Sequence, residues 1–563
     1  MGPPGTSTMH ANAASSDATT NPGPGSGQVS IIATNYGAVF PTIMMGSDGL
    51  IVAVATKIEN RTPYVYLLNP TNLNTLAPPL ELIRSTTSEL AGGIYSYLDN
   101  SNCLVLVNAH GYLQRISHTQ ASNGSWTLST NSSVQIGYPD VVGLVPDYQG
   151  RVWFATAQGS STNSGAVVGY YDPTTTNTAA FTLPNGEQIA NSISSSPAGV
   201  AVASTAALYL FQAGTNDVPV QLWRQSYTNG PGRKPGQLSW GTGATPSFFG
   251  PATGYEYLTI TDNAAPQENI LVFQTSSGTP VGSVPLLTAG VNSGNEDAAI
   301  AVGNSIYYPS TYGYPYPKSA ENPTNSVPES APFVGGMQRV DVLTNGTLQT
   351  IWTNNTTASA AEPRMSVRDN LIYTVSVDTN TSTYSFITID PGTGAVLSST
   401  PYGTGWQNNP LQMVSMISPD GVLYQGTESG LIRVQAVPLS STYAGSFPGL
   451  APNGVGADGL PYLIKYFHGG TNTNSSVTLP TVEMQADRLI LTAVVRTNDT
   501  NLLWEVQFTT DLASGWTPLT NNPQGILSSH IHGTVPTGCQ LRDFAVPQGS
   551  DPKKFLRLKV TQP

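Results

Sequence analysis

Apolar and polar positions alternate in short runs along most of the chain, and two-residue turns break the runs at near-regular intervals. One unit recurs: an apolar strand, a tight turn, a second strand, a variable loop, a third strand, then a turn of Asp-Pro or Gly-Thr type and a fourth strand. The first turns fall at Asp48-Gly49, Asn100-Ser101, Gln149-Gly150, Ala198-Gly199, Thr253-Gly254, Gly303-Asn304, Asp369-Asn370 and Asp420-Gly421, spaced by 52, 49, 49, 55, 50, 66 and 51 residues. Period-two alternation between turn residues is the signature of antiparallel strands. A period near fifty residues, four strands to the repeat, is that of a β-propeller blade.

Eight such units predict an all-β, eight-bladed propeller over residues 28–437, with seven blades as the alternative if the weakly patterned stretch Ser192–Trp223 is not a unit. The last unit shows only three strands, near Gln412–Ile417, Val422–Gln425 and Leu431–Val434. An orphan strand, Val29–Tyr36, precedes the first. Pairing it with Leu431–Val434 would supply the missing strand and cover an open sheet edge. Residues 1–27, rich in Gly, Pro, Ser and Ala, read as a flexible N-terminus. Residues 438–457 read as a Pro/Gly/Ser linker. Residues 458–563 read as a β-sandwich-like domain, opened by a short helix from Pro461 with Leu463, Ile464 and Phe467 as its apolar face.

Composition narrows the function classes. Charged residues make up 10% of the chain, with 21 Lys and Arg against 33 Asp and Glu, a net charge of -12. That balance is opposite to what a nucleic-acid partner requires. No apolar run reaches the ~20 residues of a membrane-spanning helix. The two cysteines, Cys103 and Cys539, exclude a disulfide framework and any Cys-rich metal centre. A surface of Ser, Thr, Asn and Gln, with nine Asn-x-Ser/Thr sequons, points to a secreted or extracellular protein whose signal has been removed.

Two resemblances add to this. Asp458-Gly459-Leu460-Pro461, Tyr466, Gly469-Gly470, Trp504-Glu505-Val506-Gln507, Thr510-Asp511-Leu512, Trp516 and Phe555-Leu556-Arg557-Leu558 make the C-terminal stretch similar to a β-sandwich module that ends many secreted proteins of Verrucomicrobia-like bacteria. Many such modules carry an Asp-rich calcium loop before the helix, of which only Asp458 remains here. The segments Ser239–Gly250, Ile260–Phe273, Asn295–Ile306, Ser310–Pro315, Gly335–Val342 and Glu362–Ser366 make residues 239–366 resemble a family of bacterial proteins of propeller fold. That family usually has Asn where Asp297 stands and Lys where Arg364 stands. Pyrroloquinoline quinone dehydrogenases also have eight blades, but their cofactor rests on adjacent cysteines, which this chain lacks.

Candidate chemistry gathers in the second half of the propeller. Long loops at Ser226–Thr245, Thr261–Asn269, Thr288–Asn295, Pro309–Phe333 and Thr353–Ala361 mark one face as the functional one. Trp240, Tyr312, Tyr314 and Tyr316 would wall a cleft there, with Asp262 and Asn263 as polar ligand contacts. Glu296 and Asp297 open one inner strand, and Glu362 and Arg364 open the next. Two chemistries fit. Asp262, Asn295, Glu296 and Asp297 offer hard oxygen ligands for calcium. Glu296 or Asp297 paired with Glu362 would serve as acid and base on a polysaccharide, with Arg364 balancing charge. The bland alternative is that these are hydrated axis residues and that Asp262-Asn263 only completes a turn. His530 and His532 would face one side of a strand but lack a third ligand. The functional reading is a secreted propeller that binds an extracellular glycan or similar polar ligand on its long-loop face. A polysaccharide hydrolase or lyase and a surface-layer or filament subunit are the alternatives.

Overall fold

The structure is a computed structural model; it describes residues 6–83, 93–158, 164–215, 218–316, 326–356, 360–437, 442–499, 501–513, 515–528, 535–536 and 538–561. The chain divides into two compact units, the first taking in Ile31–Val367, Ile372–Val434 and the N-terminal stretch ending at Asn21, the second taking in Gln435–Pro563 with Pro22–Ser30 and Arg368–Leu371.

Among the described residues, the first unit carries eight antiparallel sheets built on four strands each. In chain order they begin with the strands Ala38–Met45, Tyr97–Leu98, Val141–Pro146, Ser194–Ser196, Ser247–Phe249, Ile300–Val302, Arg364–Ser366 and Ser415–Ile417. These first strands follow one another around an axis, the last sheet packing against the first. The fold is a β-propeller. Every one of the eight turns picked out by spacing falls where the first strand of a sheet passes into the second, with Gly199 already the first residue of its second strand. The weakly patterned stretch also forms a sheet of its own, from Ser194–Ser196 to Pro219–Ser226.

Burial follows from position in the sheet. Inner strands are enclosed on both faces, so Ser194–Ser196 and Ser247–Phe249 are buried throughout. The outermost strand Trp126–Gln135 alternates towards solvent. Between neighbouring sheets the inward side chains interlock: Met44, Val52 and Val65 of the first sheet pack with Leu98, Leu104 and Leu106 of the second.

The ring closes as the orphan strand predicts. Val29–Asn35 lies beside Gly430–Ala436 and completes the eighth sheet. The Tyr36 amide donates to the Ser429 carbonyl at 2.8 Å. Approach is so close that a Cβ on Gly430 would sit 1.9 Å from the Thr34 carbonyl oxygen.

The expectation of a flexible N-terminus fails for residues 6–21. Ser7–Thr8 pairs with Tyr97–Leu98 of the second sheet, and Ala18–Thr19 runs parallel to Met365 and Ser366 of the seventh. Between them the backbone visits one inner strand after another. Ser195 donates to the Ala13 carbonyl, Phe248 to Ala14, Ala301 to Ser16 and Met365 to Asp17, at 2.6–3.0 Å. The physical reason is the open inner edge of each sheet: its unpaired backbone groups need partners, and this segment supplies them. Its small side chains are what a crowded axis admits; Ala13 and Asp17 are fully buried.

The second unit holds a four-stranded and a three-stranded sheet that share one core, with Leu491, Ala493 and Val495 from one and Val506 and Leu558 from the other. The helix Tyr462–Phe467 buries Lys465, Tyr466 and Phe467, whereas Leu463 and Ile464 are only half-buried. Part of the expected linker belongs to this core: Tyr443 stacks on Phe447, and both pack with Tyr466. Asp458 pairs with Lys465 at 2.7 Å, so its carboxylate already has a cation. Both cysteines are free.

Candidate functional site

Among the described residues, the long loops pack on one another across one end of the propeller rather than framing an open cleft. Lys234 reaches the Ser293 carbonyl at 2.9 Å, the Ala264 carbonyl at 2.5 Å and Glu268 at 3.4 Å, and is itself buried. Gly313 donates to the Pro235 carbonyl and Thr311 to the Gly294 carbonyl, each at 2.8 Å. Gly236, at φ +84, lies so near Thr311 that a Cβ would sit 1.9 Å from its carbonyl oxygen. Interlocked backbone of this kind buries the three tyrosines expected to wall a cleft. Tyr312, Tyr314 and Tyr316 are buried, and Tyr314 donates to Asn409 Oδ1 at 2.7 Å. Trp240 alone of the aromatic candidates is exposed, with its indole N–H on the Asn229 carbonyl at 3.1 Å.

The proposed calcium ligands divide. Asp262 spends one oxygen on the backbone amides of Ala264 and Asn269 and the other on the Asn269 side chain, at 2.7–3.1 Å, which is the turn-closing role. Asn263 donates to the Asn229 and Gly232 carbonyls. Asn295 caps its own turn through the Asp297 backbone. Glu296 and Asp297 are different. Among the described residues, both oxygens of Asp297 and Oε2 of Glu296 are buried without a hydrogen-bond partner.

Around Asp297 stands a group that joins two inner strands to the N-terminal segment. The turn from His10 to Asp17 is tightened by Asn12, which accepts from the Ala14 amide and donates to Ser16, with positive φ at Ala11, Ser15 and Asp17. It brings His10 Nδ1 to 3.0 Å from Asp17 Oδ2 and 3.0 Å from Glu362 Oε1. Glu362 Oε1 also accepts from the Ala298 amide at 2.9 Å, which sets it beside Asp297. Arg364 Nη1 lies 2.8 Å from Asp17 Oδ1, while Nε and Nη2 donate to the Ser415 and Met9 carbonyls. The sequence candidates Glu296, Asp297, Glu362 and Arg364 thus share one buried neighbourhood, together with His10 and Asp17, which sequence reasoning missed. The available signal was that these two are the only titratable side chains in residues 6–21. His530 and His532 lie outside the described residues.

Electrostatics follow from burial. Enclosure holds the Glu296 carboxyl near 8, and Glu268 adds to that shift. Enclosure, then Asp17, raises Glu362 to about 7 against the opposing pull of His10. Asp297 is pushed well above the usual carboxylate range by burial and by Glu362, Glu296 and Asp17. Burial opposes a charge on His10, but Glu362 and Asp17 outweigh it and lift the imidazole to about 10. Asp17 goes the other way: Arg364 and His10 overcome its burial and hold it down. Tyr316, whose hydroxyl has no partner, is raised by burial, Asp297 and Glu296.

Two voids border this group. A cavity of about 10 Å³ beside His10 is lined by Tyr95, Ser192 and Leu144. A larger one, about 270 Å³, opens at the other end of the channel, where the first turns of the sheets lie; Thr8, Met9, Asn21, Ser47, Asn102 and Met416 line it, and Arg364 reaches it. Glu296, Asp297 and Glu362 line neither.

The strand order defines the class: a β-propeller protein with a smaller β-rich second unit. Solved structures similar to the chain are propeller-like. A europium-containing methanol dehydrogenase is 11% identical with a TM-score of 0.48, over 77% of this chain and 98% of that one. The WD40 propeller domain of Doa1 is 11% identical with a TM-score of 0.32, over 59% and 88%. A putative 6-phosphogluconolactonase from Bacteroides fragilis is 12% identical with a TM-score of 0.34, over 66% and 97%. No family model matches the chain, and no curated protein matches it. No helix among the described residues is long and apolar enough to cross a membrane.

Proposed function

We propose that this is a non-catalytic binding propeller that takes a neutral, hydroxyl-rich ligand of the glycan class into the cavity of about 270 Å³ at the short-turn end of its channel. The observation that carries this is the lining: Ser, Thr and Asn side chains beside Met, Leu and Ile, with no carboxylate among the described residues there. Arg364, the one charged residue there among the described residues, is already held by Asp17 and two carbonyls. A small concave site with a few polar groups on an apolar wall is the usual form of a ligand pocket. The ligand face is therefore the opposite of the one the long loops favour. An extracellular setting fits the sparsely charged, Asn- and Ser-rich surface.

The hydrolase reading is not favoured, because its carboxylates are buried among the described residues and line neither cavity. A glycan array with the full chain tests the proposal. Retention of a glycan class by the wild type and its loss in Ser47→Trp, which fills the cavity mouth, is the expected result. Equal binding by both proteins, or none by the wild type, overturns it. Release of shortened sugars would return the hydrolase reading.

A further inference from the structure

We propose that His10, Asp17 and Glu362 form a binding site for one divalent transition-metal ion, of the zinc or manganese class, at the centre of the propeller channel. Their ligand atoms all lie within 4.8 Å of one another, and all three side chains are buried. Ligands held ~2.0–2.2 Å from one ion are about 3–4 Å apart, and His10 Nδ1 already stands 3.0 Å from Asp17 Oδ2 and from Glu362 Oε1. The donor set is one imidazole nitrogen with carboxylate oxygens. That set suits zinc or manganese better than calcium, which takes oxygen ligands and more of them.

A second observation points to a ligand independently. Asp297 is 1% exposed, and neither of its carboxylate oxygens has a hydrogen-bond partner among the described residues. The amide next to it, that of Ala298, holds Glu362. A buried carboxylate without donors is costly unless a proton or a cation compensates it. A protonated His10 bridging Asp17 and Glu362 would account for those three residues, and a retained proton for Asp297; a bound ion is the alternative, which metal analysis separates from it. An ion held by His10, Asp17 and Glu362 would add positive charge among the groups whose field already acts on Asp297. The void of about 10 Å³ that borders His10 has room for one water. The site also gives the N-terminal segment a purpose: it delivers two of three ligands to Glu362, which stands just before the inner strand Arg364–Ser366. The inference stands apart from the glycan proposal, since neither site uses the other's groups for binding.

The test is metal analysis of the untagged, full-length chain, followed by chelation and titration with Zn²⁺, Mn²⁺ and Ca²⁺ while the melting temperature is followed. About one equivalent of Zn²⁺ or Mn²⁺ should bind and raise the melting temperature, and Glu362→Gln and His10→Gln should each weaken binding at least tenfold. No binding by the wild type, stabilisation by Ca²⁺ alone, or unchanged affinity in both variants overturns the proposal. If the variants do not fold, Co²⁺ added to the wild type decides. Visible absorption saturating at one equivalent, with band positions of nitrogen and oxygen ligands, supports the site, and its absence overturns it.

Discussion

Arg364 Nη1 stands 2.8 Å from Asp17 Oδ1, with both side chains enclosed, so an inner strand of the seventh sheet is tied by an ion pair to a segment that begins the chain. The contact is an ion pair rather than an aligned hydrogen bond, and the hydrogen bonds of the guanidinium go to the Ser415 and Met9 carbonyls. Removing one partner leaves the other charged and buried, which costs about 3–5 kcal/mol. Arg364→Met should therefore lower the urea midpoint strongly. Joint replacement, Asp17→Asn with Arg364→Met, should cost less than the two single changes added together. Strict additivity in a double-mutant cycle would show that the pair is not coupled.

Truncation follows from the same segment. Reading residues 1–27 as flexible predicts that their removal is harmless; the backbone pairing at Ala13, Ala14, Ser16 and Asp17 predicts the contrary. Deleting residues 1–21 should expose those inner edges and lower the melting temperature by several degrees or more. The closing strand has its own test. Gly430→Ala puts a methyl group 1.9 Å from the Thr34 carbonyl oxygen, so Val29–Asn35 must shift outward. Overpacking of this kind costs about 1–3 kcal/mol. An unchanged melting temperature in Gly430→Ala would remove the case for a tightly sealed ring.

The repeat was legible because its markers are local. Each turn of the Asp48-Gly49 kind sits between strands with plain alternation, and Gly49 takes φ +78, which glycine adopts without strain. The closing strand was legible because a three-stranded last unit demands a fourth. Residues 6–21 were not legible, since their place depends on backbone edges contributed by distant strands, and backbone edges leave no side-chain pattern. For the same reason His10 and Asp17 escaped, while Glu296, Asp297, Glu362 and Arg364, placed at strand starts by the repeat, did not. The tyrosines misled because loop length says nothing of loop packing. Tyr314 and Tyr316 pack with Leu411 and Met413 rather than lining an opening.

Stability should fall as pH rises, in chelator. Glu296 and Glu268 are both raised from an ordinary 4.5 to about 8. The folded state therefore binds more protons than the unfolded one between those values, and their contribution, complete below 4.5, is lost as pH climbs through 8. His10, raised from 6.5 to about 10, acts in the same direction: its contribution is complete below 6.5 and gone above 10. Asp17 opposes this only on the acid side, because its carboxyl is lowered and its contribution disappears as pH falls below 3.8. A tenfold change in the proton affinity of one group is worth about 1.4 kcal/mol at most, and interaction among these groups reduces the sum. The urea midpoint at about pH 5 should exceed that at about pH 9, and Glu296→Gln should flatten the slope between them. A midpoint that rises towards pH 9 would contradict the burial of these carboxyls.

The loop cap offers a prediction in which two partners of one contact behave differently. Lys234 holds the Ala264 and Ser293 carbonyls as well as Glu268, so three loops depend on one ammonium group. Glu268 Oε1 is also held by the Gln237 side chain at 2.9 Å, and Oε2 has no partner. With its carboxyl near 8, Glu268 is mostly neutral at neutral pH, because burial outweighs the pull of Lys234. Glu268→Gln then replaces a neutral group with one of the same shape and should change stability by less than about 1 kcal/mol. Lys234→Met strips two carbonyls and a carboxyl of their donor inside a closed cap. Unsatisfied buried acceptors cost about 1–3 kcal/mol each, so this variant should be several-fold more damaging. Hydrogen exchange should report the loss first at the amides of Asn263, Thr311 and Gly313, whose hydrogen bonds cross between the same loops. If instead Glu268→Gln proves the worse of the two, the carboxyl is charged in the folded protein and the cap is held by an ion pair.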